Sequence, residues 1–461
     1  MATPSTPSSP APLDTRLVGC GVPALLLCAA GFLALRPELR LAVPELIGIT
    51  AAMVLALSFA LYRGGRGGIG WSPRCIILIA LVLRLMFLAS PPQLSDDLYR
   101  YLWDGSNILR GINPYQAAPA RTVPPASLKA AHALINHPEY VTIYPPTAQL
   151  VFAAGATLGG LTGLKALLVL FDLALCGLIV VLLRQLTLPP WLAVLYAWNP
   201  LPVLEIAGSG HVDGAGLSLL VAALVLTLRG APRETSEAPR RGPAQAAGLL
   251  FAAACLVKLF PLPLTPVLFL LTPRVRRLEF SLGCATGLAA LTLPFWPELA
   301  HITQSLDAYA RNWEFAGFAY NTLRTATGSG TTARLTLSLI FACCLMVLVG
   351  KLAMELKRAE SPAERGRAAL TACYRITLAL LLTTPTLQPW YALSLAALFP
   401  MSAGPAGLVL CWAVFLTYQV QIPYFVLGKW IESPAVTAAL FLAPLLAWLL
   451  ARMSGGRTAR G

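Results

Sequence analysis

IILIALVLRLMFLASPPQLSDDLYRYLWDGSNILRGINPY, Ile76 to Tyr115, sets an apolar run against a polar one, with a short Pro-containing link between them. Ile76–Leu88 has the character of a membrane span. Ser95–Tyr115 then gathers Asp96, Asp97, Asp104, Arg100 and Arg110 with Tyr99, Tyr101 and Trp103. In a very hydrophobic chain such density belongs where a helix leaves the bilayer and meets water. Asp97, Tyr101 and Asp104 recur at i, i+4 and i+7 and share one helical face, and Arg100 lies within reach of Asp97. A second dense patch, YVTIYPPTAQ, follows at Tyr140–Gln149. The two together are a candidate reaction centre.

Composition sets the class. Of 461 residues 57% are hydrophobic and 12% charged, and the mean hydropathy is +0.70. Apolar windows of about 20 residues recur throughout, the mark of a polytopic membrane protein. The net charge of +14 sits mostly in short loops between apolar runs, which fits the positive-inside rule and not nucleic-acid binding. Cys28, Cys176, Cys255, Cys343, Cys344 and Cys411 fall inside apolar runs and no CxxC pair exists, so the cysteines read as packing residues. His132, His137, His211 and His301 lie outside the apolar runs or near their ends and form no ligand doublet.

Apolar spans are expected near 17–35, 41–61, 72–88, 145–160, 164–183, 191–206, 212–228, 246–271 (interrupted), 281–293, 335–352, 368–384, 390–398, 407–420 and 435–450. The expected fold is an all-α polytopic transmembrane bundle of about 12–14 spans, with external loops carrying short interfacial helices. The link YRGGRGGIGWSPR carries Arg63, Arg66 and Arg74 without an acid, so it reads as cytoplasmic and sends the third span outward. Cytoplasmic character also marks Arg229–Arg241, Arg274–Arg277 and Lys351–Arg367. One membrane domain over 17–451 results, with an external loop at 91–144 and a second at 295–330. A disordered cytoplasmic tail at 1–16 and a cytoplasmic tail at 452–461 flank it. Parity fails at one place: four apolar segments separate the external YPP turn from the cytoplasmic Arg229 loop, where an odd number is needed. Either 145–160 is re-entrant or a neighbour is broken.

In 246–271 both flanks are basic, and KLFPLPLTP lies in the middle. Pro261 and Pro263 break a helix there and leave Lys258 beside the junction of two half-helices. A lysine in the membrane region is costly and marks a site more often than a snorkelling side chain. NPLPVLEIAGSGHVDGAG, Asn199–Gly216, joins two apolar segments and carries Glu205, His211 and Asp213 among glycines that permit close approach. H-x-D alone makes no metal site. The second external loop, HITQSLDAYARNWEFAGFAYNTLR, sets Arg311 and Arg324 near Trp313, Phe318 and Tyr320, and TLQPWY at Thr386–Tyr391 adds a third polar-aromatic spot. Either is a ligand-covering surface or plain interfacial anchoring. No Walker loop, GxGxxG after a strand or HExxH occurs, so nucleotide-driven chemistry has no visible home.

SDDLYRYLWDGSNILRGINPY with HPEYVTIYPPTAQ resembles the GT-C superfamily of integral-membrane glycosyltransferases, most closely the bacterial polyprenyl-phosphomannose-dependent α-mannosyltransferases. The likeness is strongest over Ser95–Gln149, continues through NPLPVLEIAGSGHVDG and VKLFPLPL, and returns weakly in QPWY; elsewhere only hydrophobicity matches. The resemblance implies inverting transfer of a hexose, mannose first among the choices, from a polyprenyl-phosphate sugar to a glycan or glycolipid hydroxyl outside a bacterial inner membrane. It implies Asp96 as base with Asp97 in support. Arg100 and Lys258, with Arg311 and Arg324 in reserve, then meet the donor phosphate. Asp104, Asn113, Tyr115, Tyr144, His211 and Asp213 hydrogen-bond sugar or acceptor hydroxyls. Some of these enzymes use a divalent cation and others none, and the Asp96–Asp97 pair allows either. The alternatives are a helix-capping role for the acids, and a lipid or sugar transporter or flippase. A transporter would gather its acids at the bilayer midplane and not in a long external loop.

Overall fold

Four helices carry the described part of the first quarter of the chain. They are α1 (Thr15–Ala34), α2 (Val43–Gly64), α3 (Pro73–Leu88) and α4 (Asp97–Leu109). α3 starts where Ser72 accepts a hydrogen bond from the Cys75 amide and Pro73 fills the first turn, so cap and proline fix its N-terminus. The computed structural model describes residues 15–64, 70–230, 243–402 and 404–458. Most of the N-terminal tail, Arg66, most of the Arg229–Arg241 loop and the end of the C-terminal tail lie outside the described residues.

The fold is an all-α polytopic bundle, as expected. Among the described residues no strand forms; isolated bridges join Phe315 and Ala316 to Thr386. Among the described residues six helices are long and apolar enough to cross a membrane: Val43–Gly64, Gly160–Gln185, Arg274–Phe295, Gly330–Arg358, Pro405–Leu427 and Pro434–Met453. Shorter or broken segments fill the space between them. The chain breaks after Cys255 and resumes in a short helical turn at Leu262–Leu264, where the two prolines forbid a continuous ladder.

The parity problem closes in the tertiary structure. Lys165, near the start of the Gly160–Gln185 helix, donates to the carbonyls of Phe87 and Ser90 at the Asp97 end of α3 (2.6 and 2.7 Å). The preceding Pro146–Thr157 helix therefore begins and ends on that one face and is re-entrant; its 12 residues span only about 18 Å of a roughly 30 Å hydrocarbon core. At the other end, Arg367 binds the Leu186 carbonyl. Residues 190–208 return as a broken segment of short turns, and Asp213–Arg229 runs back to the arginine-rich face. Three crossings remain, an odd number.

Without a hydrophobic drive between helices in lipid, small residues set close contacts. A Cβ on Gly248 would lie 2.1 Å from the Phe280 carbonyl oxygen, and one on Gly283 2.1 Å from that of Gln245. The Pro243–Cys255 and Arg277–Thr292 helices thus cross with backbones in contact. Gly248→Val is expected to force them apart and cost about 1–3 kcal/mol, read as a lower thermal midpoint in detergent; an unchanged midpoint would show that the crossing tolerates bulk.

Candidate active site

α4 hangs directly off α3 and packs its Leu98–Tyr101–Gly105 stripe on the re-entrant helix. A Cβ on Gly105 would meet the Phe152 carbonyl oxygen at 2.3 Å, and Tyr101 stacks on Phe152 with centroids 4.2 Å apart. This contact fixes the two acids at the N-terminus of α4. Asp96 occupies the N-cap position, yet its side chain makes no capping hydrogen bond. It opens instead into a cavity of about 610 Å³. The α1–α2 loop, α4, the 136–144 return, Lys258, the 305–315 loop and the 388–391 and 418–430 segments enclose that cavity.

The neighbouring carboxylates are treated differently. Asp97 accepts from the Asn136 amide (3.0 Å) and the Tyr144 hydroxyl (3.0 Å), and Tyr101 donates to Tyr144 (3.3 Å). Asp96 has no hydrogen-bond partner among the described residues. Burial raises its carboxyl above the ordinary range, opposed by the Arg40 charge and reinforced by Asp97. A desolvated carboxylate with free lone pairs is a competent proton acceptor.

The glycine-rich segment closes the floor. Val203–Gly208 is a π-helical turn, the kind of local widening found at functional sites, and Gly210 has φ +81°, with Leu98 packed where a Cβ would stand. This geometry drops His211 against Asp97 (Nδ1 to Oδ2, 3.7 Å) and stacks its ring on Trp390 at 4.0 Å. Asp213 begins the next helix and binds Lys258 Nζ at 2.8 and 2.9 Å. The lysine keeps 23% of its side chain exposed, toward the cavity and 4.9 Å over the Tyr391 ring.

Of the residues expected at the site, Asp96, Asp97, Arg100, Tyr144 and Lys258 line the cavity. Asp213 stands directly behind Lys258. Arg100 turns from Asp97 to a buried pair with Asp104 (3.0 Å) and to the Tyr140 carbonyl, and Gln149 completes Asp104, so both hold the loop. Tyr115 donates to the Tyr144 carbonyl (2.7 Å) and Asn113 to the Phe295 carbonyl (3.0 Å), tying the first loop to itself and to the second. His211 is fully buried under Trp390 and presents no edge to the cavity.

Arg311 and Arg324 do not line the cavity. Arg311 is satisfied on its own helix by Asp307 (2.8 Å), and Arg324 by Glu314. In their place Arg40 lines the cavity, its guanidinium bidentate on Glu38 at 2.7 and 2.8 Å. Arg40 belongs to the charged cluster RPELR between the first two helices, which the sequence reading did not single out. Tyr309, Asn136 and Tyr418 also reach the cavity, and no motif announced them.

Among the described residues no three His, Cys, Asp or Glu side chains converge as ligands of a metal ion. A hard cation beside Asp96 and Asp97 would draw its other oxygens from substrate phosphate and water.

A many-span helical bundle that presents an acid pair and a lysine to one cavity at its surface has the form of a membrane-embedded transferase. The chain belongs to the MptA_B family, whose model, described as alpha-(1->6)-mannopyranosyltransferase, N-terminal domain, matches residues 28–274. It is a multi-pass membrane mannosyltransferase. No curated protein and no solved structure matches the chain. The cavity draws residues from both sides of 274: Trp313, Trp390 and Tyr418 face Asp97 and Lys258.

Proposed function

We infer that the protein transfers mannose from a polyprenyl-phosphate sugar to an acceptor hydroxyl at the external face of a bacterial plasma membrane, with inversion at the anomeric carbon. The family's linkage then makes the product α-(1→6), so the donor sugar phosphate is β-linked. The observation that carries the reading is one unbonded, desolvated carboxylate, Asp96, sharing a cavity with the Lys258 ammonium.

The acceptor oxygen attacks the anomeric carbon from the side opposite the phosphate as the bond from that carbon to the phosphate oxygen breaks. Asp96 takes the acceptor proton. The electron pair leaves with the polyprenyl phosphate, whose growing charge falls to Lys258 and Arg40. Asp213 and Glu38 hold these cations in place and yield part of their charge to the incoming anion. Asp97, fixed by Asn136 and Tyr144, orients the sugar. The donor's chain comes from the lipid phase, and the acceptor is a glycan or glycolipid. A divalent cation at the acid pair would add to the charge on the phosphate side.

The test uses protein in detergent with radiolabelled polyprenyl-phosphate-mannose and an envelope glycolipid extract. Labelled glycolipid is expected, and mild α-(1→6)-selective mannosidase digestion should release the label. No transfer from any lipid-phosphate sugar would reject this reading.

A further inference from the structure

Glu205 and Tyr418 have no part in the transfer drawn above, yet both are buried beside it. Glu205 is 0% exposed, and the Tyr418 hydroxyl lies 2.8 and 3.0 Å from its two carboxyl oxygens. His211 Nε2 faces Glu205 Oε2 at 3.4 Å while Nδ1 faces Asp97 Oδ2 at 3.7 Å. Neither ring nitrogen has a closed hydrogen bond, although both are buried. The order in space is Tyr418, Glu205, His211, Asp97.

Two arrangements of protons satisfy all four, with the shared proton on Glu205 or on Asp97, and only the first leaves both Asp97 oxygens purely acceptors for Asn136 and Tyr144. With both carboxylates ionised and the imidazole neutral, the lone pair of one ring nitrogen faces an anion, which is an unmet and repulsive contact. With an imidazolium, three charges are buried together next to the Lys258–Asp213 pair, at a high desolvation cost. A protonated Glu205 leaves a single charge, on Asp97. Tyr418 O–H then donates to the Glu205 carbonyl, Glu205 O–H to Nε2, and Nδ1–H to Asp97. A chain that runs in one direction polarises along its length. Separations of 3.4 and 3.7 Å are long for such bonds, and catalytic hydrogen bonds commonly tighten once substrate is bound.

Resting on the transfer reading for its consequence, the geometry points to Glu205, in its protonated form, as a positioning residue that acts through His211 on Asp97. It fixes the tautomer of the imidazole, and the imidazole fixes the carboxylate. The other titratable groups facing this chain are Asp213 and Lys258 from the adjoining helices, Asp96, Tyr101 and Tyr144 from the first loop region, and Tyr309 and Tyr391 across the cavity.

Infrared spectroscopy of the full chain in lipid nanodiscs, in H₂O and D₂O, reads the proton directly. A carboxylic-acid carbonyl band is expected in the wild type and lost in Glu205→Gln; its absence from the wild type overturns the inference whether or not the protein transfers sugar. Transfer kinetics read the consequence. Glu205→Gln can still donate to Nε2 and accept from Tyr418, so its rate should stay within about threefold of wild type, with the pH profile in place. Glu205→Met keeps the length without the donor. It is expected to lose roughly tenfold in kcat at little change in donor KM, because the imidazole loses the donor that fixes its tautomer and with it the placement of Asp97. A Gln variant as impaired as the Met variant would show that an ionised Glu205 is needed. A Met variant that elutes as a single species and keeps the wild-type kcat would reduce Glu205 to packing. Failure of the wild type to transfer mannose would remove the transfer reading and leave the infrared result to decide the protonation state.

Discussion

Asp96→Asn is expected to lower mannose transfer by about 10²–10⁴-fold, the range that a positioned general base contributes. The amide has the shape of the carboxylate and cannot take the acceptor proton. Asp97→Asn makes the comparison informative, because Asp97 is already held by Asn136 and Tyr144; its loss should raise donor KM as well as lower kcat. Asp96 works ionised, and burial raises its carboxyl. Activity should therefore fall as pH drops through a limb lying above the ordinary carboxylate range. For stability the sign reverses: a carboxyl raised in the folded state is disfavoured as an anion, so the cost is full above its folded pKa, shrinks as pH falls through it and is gone below the unfolded pKa. Asp96→Asn should thus leave the thermal midpoint at neutral pH unchanged or higher while activity is lost. A rate within threefold of wild type would move the base to Asp97.

Arg84→Ala is expected to be among the most destabilising single changes in the chain, by about 3–5 kcal/mol, the cost of leaving a buried charge unpaired. Arg84 on α3 and Asp172 on the Gly160–Gln185 helix are both 0% exposed, with Nε and Oδ2 2.7 Å apart. The guanidinium also donates to the Ala80 carbonyl (3.3 Å) and to that of Ala197, and Tyr196 donates to Asp172 (2.6 Å). The pair thus ties α3, which delivers the acids, to the broken 190–208 segment, which leads into His211. Arg84→Met with Asp172→Leu should recover most of the loss, since a buried pair replaced by apolar residues of like volume is often neutral. Thermal midpoints and the yield of single-species protein give the readout. Equal damage in the single and double variants would show that the site needs the charges themselves.

Much of this was legible in the sequence because the bilayer simplifies the problem. A span must be apolar and hydrogen-bonded within itself, so length and hydropathy alone give helices, and arginine-bearing links give their sense. The break at Pro261 and Pro263 followed from proline chemistry, and Asp96, Asp97 and Lys258 stood out because charge is scarce here. What misled was proximity along the chain. Arg311 and Arg324 sit among aromatics, as donor-binding cations would, but each has an acid partner nearby, Asp307 and Glu314, and a satisfied ion pair has no reason to reach further. Asp104 shares the helical face of Asp97 and Arg100 lies three residues on; their i, i+4 pairing buries Asp104 behind the cavity and leaves Arg100 at its wall, satisfied by Asp104.

By itself, then, the sequence determined an all-α membrane bundle, its broken helix and the acid pair at the end of α3, because each follows from the local chemistry of a few adjacent residues in a solvent that admits little else. The tertiary structure alone decided which carboxylate stays free, that the 146–157 helix turns back, that Arg40 and Tyr418 enter the cavity, and that Glu205 stands behind His211. Most of those facts depend on contacts between distant parts of the chain, from 39 residues for Asn136 on Asp97 to 213 for Tyr418 on Glu205, and on which groups find partners first. Neither periodicity nor hydropathy carries that information.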